Sequence, residues 1–145
     1  MNIHNRIRQE VVELLANAIE DVGYFHNGLP KIDDVENGLP LIAVYLNSAE
    51  ADPIAIGSIE WQANLSILTY IPFNEGEARL DEISEKINNI ILGHSFKHFS
   101  IRSDFHQAYE YEYDTENNVW VGSAIDYRIR YELTNMYNFK ENSKE

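Results

Sequence analysis

Five histidines and twenty-four acidic side chains are the groups through which this 145-residue chain could do chemistry, because it has no cysteine. Without cysteine there is no disulfide, no thiolate nucleophile and no sulfur ligand for a metal. His94 and His98 stand four residues apart, with Asp104 and His106 further on, and such a set could hold zinc if one helical face carried it. Gly93 precedes both as a helix stop, so they read as loop histidines. Ser58, Ser66, Ser95, Ser100 and Ser103 sit in no Gly-x-Ser-x-Gly elbow. The tetrapeptide NGLP occurs at residues 27–30 and 37–40 and reads as a turn, not as a phosphate loop. Asp33 with Asp34, and Asp81 with Glu82, are adjacent and diverge on any regular element, so they do not flank a substrate. These spacings ask for no enzyme, no metal and no cofactor.

One stretch has aromatic chemistry instead. In YEYEYD, Tyr109, Tyr111 and Tyr113 share one face of an extended chain, and Glu110, Glu112 and Asp114 share the other. A stacking platform for carbohydrate is conceivable there. The commoner arrangement buries the tyrosines and presents the acids. On the same reasoning Glu110 or Glu112 is expected to pair across the sheet with Arg128 or Arg130.

The elements that must position these groups follow from hydrophobic periodicity. Ile3, Ile7, Val11, Leu14, Leu15, Ala18 and Val22 recur at helical steps, predicting a helix over Ile3–Asp21 that ends near Gly23. Tyr24–His26 can form a short strand before the Asn27–Gly28 turn, and the rest of residues 28–40 reads as loop. A strand is expected over Leu41–Asn47, apolar on both faces, then a long irregular connection, SAEADPIAIGS. From Glu60 to Pro72 apolar and polar residues alternate: Trp61, Ala63, Leu65, Ile67, Thr69 and Ile71 face a core. The opposite face is polar until Leu68 and Tyr70, which a monomer need not expose. A second helix is predicted over Gly76–Leu92, with Glu75 and Glu77 at its positive end. Residues 93–107 are irregular and, with the connection before Glu60, are the expected mobile or partner-facing parts. YEYEYD and VWVGSAIDYRIRYEL then close a hairpin. The expected fold is α/β (α+β): an antiparallel or mixed four-stranded sheet with two helices on one face, in the order helix-strand-strand-helix-strand-strand. It occupies residues 1–133 as one domain, with a polar tail over 134–145.

The formal charge is −13, from eleven basic and twenty-four acidic residues. No basic patch offsets it, so general nucleic-acid binding is not expected. No run is long enough to span a bilayer, and the N-terminus lacks the apolar core of a signal peptide. The acidity suits solubility, a surface that mimics DNA, or a surface that DNA passes without sticking.

In order along the chain, FHNGLP, LPLIAVYLNSAE, EWQANLSILTYIP, the acidic start of the second helix, YEYEYD and VWVGSAIDYRIRYEL resemble the tail-terminator family of long-tailed phages, of the minor tail protein U type. The resemblance runs from about Tyr24 to Leu133, and departs from the pattern in HSFKHFSIRSDFH and the C-terminal tail. It implies a structural protein of the virion tail, present in the host cytoplasm during assembly. Such a protein forms a homohexameric ring that caps the tail tube and stops its polymerisation. Its other face meets the head-completion protein, and DNA passes through the ring without specific binding. The resemblance places an interface carboxylate at Glu77; charge complementarity makes Arg79, Arg128 or Arg130 of a neighbour its candidate partners, and the strand's alternation makes Leu68 and Tyr70 candidate apolar contacts. Ring assembly is expected to respond to salt or to Mg²⁺, because six acidic copies repel one another. The alternative from another class is a small acidic DNA mimic that inhibits a nucleic-acid-binding enzyme as a monomer.

Overall fold

Ile7, Val11 and Leu15 form the buried stripe of the first helix, α1 (Asn2–Ala18). The computed structural model describes residues 2–55, 58–102 and 107–133. After α1 come β1 (Tyr24–Asn27), α2 (Ile32–Asn37), β2 (Leu41–Ala55) and β3 (Ser58–Pro72). A 3₁₀ turn (Phe73–Glu75) leads into α3 (Gly76–Leu92), followed by β4 (Ser100–Ile101), β5 (Ala108–Tyr113) and β6 (Trp120–Glu132).

The expected helices-on-sheet plan holds, but the sheet has six strands rather than four. Its order is β1-β2-β3-β6, and the far edge of β6 is shared by two short strands. β5 pairs with Val121–Asp126 and β4 with Ile129 and Arg130. Only β1 lies parallel to its neighbour; every other pairing is antiparallel. The loop expected over residues 28–40 contains a short helix, α2.

Period-two alternation fixes the register, since a one-residue slip would turn every core residue to the wrong side. Ala63, Leu65, Ile67 and Ile71 of β3 join Val121, Ile125, Tyr127, Ile129 and Tyr131 of β6 under α1 and α3. From α3, Leu80, Ile83, Ile87 and Ile91 complete this core. Two polar pairs form at this core: Ser84 Oγ lies 2.9 Å from Ser123 Oγ, and Tyr127 Oη donates to Asn88 Oδ1 at 2.8 Å. A smaller cluster of Leu41, Ala43, Leu68 and Ala124 lies on the opposite face, flanked by Leu39, Tyr45 and Tyr70.

The largest departure from expectation is the SAEADPIAIGS connection. β2 continues through it to Ala55, and β3 begins at Ser58, so most of it is a paired hairpin arm. Ser48, with φ 54°, lies where the register shifts between Asn47 and Ala49. That irregularity breaks the alternation on which a sequence reading depends. The arm places Asp52 opposite Glu60, and Glu60 opposite Glu132. Like charges opposed across strands destabilise pairing. Glu60→Lys is therefore expected to raise stability by roughly 0.2–1 kcal/mol, measurable by urea unfolding. An unchanged midpoint would show that the row is already relaxed by solvent.

Among the described residues no helix is long and apolar enough to cross a membrane. The polar tail expected over 134–145 lies outside the described residues.

Candidate functional site

The sequence-derived interface residues fall at separate places. Glu77 is exposed in the first turn of α3, after the strand-ending Pro72, where the helix dipole favours a carboxylate. Gly76 makes this entry possible: its φ of 77° is a left-handed conformation that costs a side chain strain. Arg79, one turn from the helix start, is already engaged within the chain. Its guanidinium contacts Asp21 and lies 3.1 Å from Glu82 and 3.9 Å from Glu75. Lys86 adds a contact to Asp21 at 3.7 Å.

Arg128 and Arg130 lie on the sheet face opposite the helices. Arg128 Nη1 donates to Asn64 Oδ1 at 3.1 Å, and Arg130 Nε to Ser100 Oγ at 3.2 Å. The Glu–Arg pairing expected between the last two strands does not form. β5 begins opposite Asp126, so Glu110 meets Ala124 and Glu112 meets Gly122, while Arg128 and Arg130 lie beyond its end. Leu68 is 4% exposed within the smaller cluster, covered by its own chain. Tyr70 is half-buried, edge-on to Trp120 at 4.9 Å, and its ring lies so close to Gly122 that a Cβ there would fall 2.9 Å from it. Burial and then the nearby Glu112 carboxylate push the Tyr70 hydroxyl up to about 12.

The tyrosines of β5 are not buried. Tyr109, Tyr111 and Tyr113 are 41%, 42% and 46% exposed, on the helix-bearing side of the sheet. Tyr109 and Tyr111 each donate to Asp81 Oδ1 at 2.7 Å. The Asp81 bond and then partial burial raise the Tyr111 hydroxyl, and burial leads at Tyr109. Between this ladder and α3 runs a groove lined by Asp81, Ser84, Glu85, Asn88, Ala108 and Ile125, among others. The role of Asp81, the carboxylate that organises it, does not follow from its adjacency to Glu82. The signal available was the four-residue spacing of Glu77, Asp81 and Glu85.

The histidines do not converge. His94 stacks edge-on against Phe96 at 4.7 Å, and His98 Nδ1 lies 2.8 Å from Glu10 Oε1. Glu10 also accepts the backbone amides of Lys97 at 2.7 Å and His98 at 3.2 Å, fastening the loop after α3 onto α1. Asp104 and His106 lie outside the described residues. Among the described residues no group of three or more His, Asp or Glu is placed to hold a metal ion.

Three carboxyls are held below their usual values. At Glu10, burial opposes the charge, and the Lys97 and His98 bonds outweigh it. At Asp21, burial is again outweighed, here by Arg79 and Lys86. Asp114 is lowered by the amides of Val119, Asn117 and Glu116, which close the turn between β5 and β6. A carboxyl with a depressed folded pKa contributes stability that is complete above its unfolded value and is lost as pH falls through the folded one. The unfolded values are 4.5 for Glu and 3.8 for Asp, so the stability these three carboxyls contribute is expected to be complete above about pH 5 and to fall below it. Thermal melts at stepped pH check this, and Asp114→Asn should shrink the loss. A melting temperature that rises on acidification would contradict the assignment.

The geometry thus comprises an exposed acidic helix start, an aromatic strand with half-exposed tyrosines, and intrachain ion pairs. The sequence matches the model of the phage minor tail protein U family over residues 2–131. The tail tube terminator protein of Escherichia phage lambda is similar, 30% identical over 132 residues, covering 90% of this chain and 98% of that protein. The tail tube terminator protein of Escherichia phage N15 is 25% identical over 131 residues, with the same coverage. The surfaces belong to a structural component of a viral tail. The chain is a member of the phage minor tail protein U family.

Proposed function

We propose that this chain terminates a phage tail tube by capping its growing end as a homohexameric ring. The cap stops addition of tube subunits, and its other face receives the head-completion protein. The observation that carries this reading is the family match over residues 2–131, joined to relatives named as tail tube terminators that align over 98% of their length. The charge of −13 supports the passage of DNA through the ring, because a surface poor in cations does not retain phosphates. Glu77, free of ion pairs among the described residues, is the interface carboxylate in this reading. Arg79 is the weakest of its candidate partners, since three carboxylates of its own chain surround it.

Purified protein added to polymerising tube protein tests the reading. Electron micrographs should show elongation halted by amounts far below one copy per tube subunit, with a ring at one tip. Tubes that keep the same length distribution at every dose would overturn it. The monomeric DNA-mimic reading predicts that second outcome, together with inhibition of a basic enzyme.

A further inference from the structure

Both outer edges of the sheet are open among the described residues. Among the described residues, no strand lies beyond β1 at one end or beyond β5 at the other, and no other backbone group pairs with either outer edge. Free edges are usually blunted by shortness, charged side chains, proline, bulges or a covering element. β1 is short and β5 carries Glu110 and Glu112, but neither contains proline or lysine, and β5 pairs with β6 without a register break. Two unpaired, only partly blunted edges on one molecule leave each able to take a partner.

We infer that the β5 edge of one copy pairs with the β1 edge of the next, carrying one sheet from subunit to subunit. This rests on the ring reading and assigns its joint. Three observations support a second copy as the occupant. First, the strand directions fit. β1 and β2 run the same way, β3 opposite, β6 reversed again and β5 reversed once more. A rotation axis along the strands therefore brings β1 antiparallel to β5, with the helix layers on the same side. Such head-to-tail contacts close into rings when the rotation closes.

Second, the layers fit. α1 packs over β1 and β2, and α3 over β3 and β6; α3 reaches β5 from one flank, through Asp81, and leaves its tyrosines, Tyr109, Tyr111 and Tyr113, 41–46% exposed. The next copy's α1, riding on its β1, supplies the remaining cover.

Third, the charges fit. Arg8 sits over the end of β1, where its Nε donates to Asn27 Oδ1 at 2.6 Å, and among the described residues it forms no ion pair. Across the joint, Glu77, Asp81 and Glu85 line one flank of α3 at four-residue spacing beside the tyrosine ladder. An arginine from the neighbour meets carboxylates and aromatic faces there, both of which it favours.

The cysteine-free sequence allows a direct test. His26 is opposite Ala43 and Glu110 opposite Ala124, which places both on the sheet face away from the helices. The double variant His26→Cys/Glu110→Cys, and a second pair Tyr24→Cys/Glu112→Cys, would be assembled and oxidised, then separated on denaturing gels. The inference expects at least one pair to give a covalent series rising to the hexamer, with neither single variant doing so. Rings visible by electron microscopy without cross-links in either pair would overturn the joint and leave the ring intact. Dimers from Glu110→Cys alone would overturn it in favour of a two-fold β5–β5 contact. A wild-type protein that forms no ring even on tube tips would remove the ring reading and this joint with it.

Discussion

Leu65→Ala is expected to destabilise the folded chain by roughly 2–5 kcal/mol, the cost of emptying a large buried site. Leu65 is 0% exposed at the middle of β3, between Leu46 of β2 and Tyr127 of β6, and belongs to the core under the helices. Both neighbouring strands hold its backbone in place, so the surroundings cannot collapse readily into the cavity. Domains of this size are stable by only about 5–15 kcal/mol, so the loss is a large share of the whole. The melting temperature should fall on the order of 10 °C. A melt within a degree of wild type would mean that the sheet and helices do not share the core described.

Glu77→Ala is expected to have its effect on assembly instead. The side chain is exposed and among the described residues makes no ion pair, so its removal takes from the monomer only a favourable interaction with the helix dipole, about 0.3–1 kcal/mol. Circular dichroism should be unchanged. Sedimentation should show the loss of hexamers, and tail completion should fail with it. In the proposed ring the carboxylate would gain a charge-assisted bond to a neighbouring cation, against the repulsion of copies that each carry −13. Glu77→Asp should restore part of the assembly if charge is the contribution. A Glu77→Ala protein that forms hexamers at wild-type concentrations would remove this residue from the interface.

Residue order made some of this structure legible and hid the rest for identifiable reasons. The helix Gly76–Leu92 was readable to the residue, because a Pro-Phe-Asn-Glu-Gly entry and a glycine exit bracket its apolar stripe. The inward faces of β3 and β6 were readable because alternation persists over the length of each strand. The outer half of β2 was not, because Ser48 interrupts the alternation and Ala49–Pro53 has a loop-like composition; its pairing comes from β3. β4 is only 2 residues long, too short for periodicity to register, while β1, at 4 residues, was legible from the Asn27–Gly28 turn that ends it. At the candidate surface, exposed Glu77 was readable from helix-terminus physics. The capture of Arg79 by Asp21 joins residues 58 apart, and the fastening of His98 by Glu10 joins residues 88 apart. No local pattern announces such contacts. The tyrosine ladder was misread as buried because alternation tells that residues share a face, not whether anything covers that face.

The position of β6 in the chain has a consequence for synthesis. It is the last described strand to be made, yet it sits inside the sheet, holding β3 on one side and β4 and β5 on the other. A nascent chain that has emerged only as far as Tyr113 can form its hairpin and both long helices, but β5 and β4 have nothing to pair with, and half the core floor is absent. Folding of such a non-local sheet waits for its final strand. A fragment cut short by premature termination therefore lacks both the stability of the whole sheet and a paired β5 edge. In the proposed cap, topology itself would keep unfinished copies out.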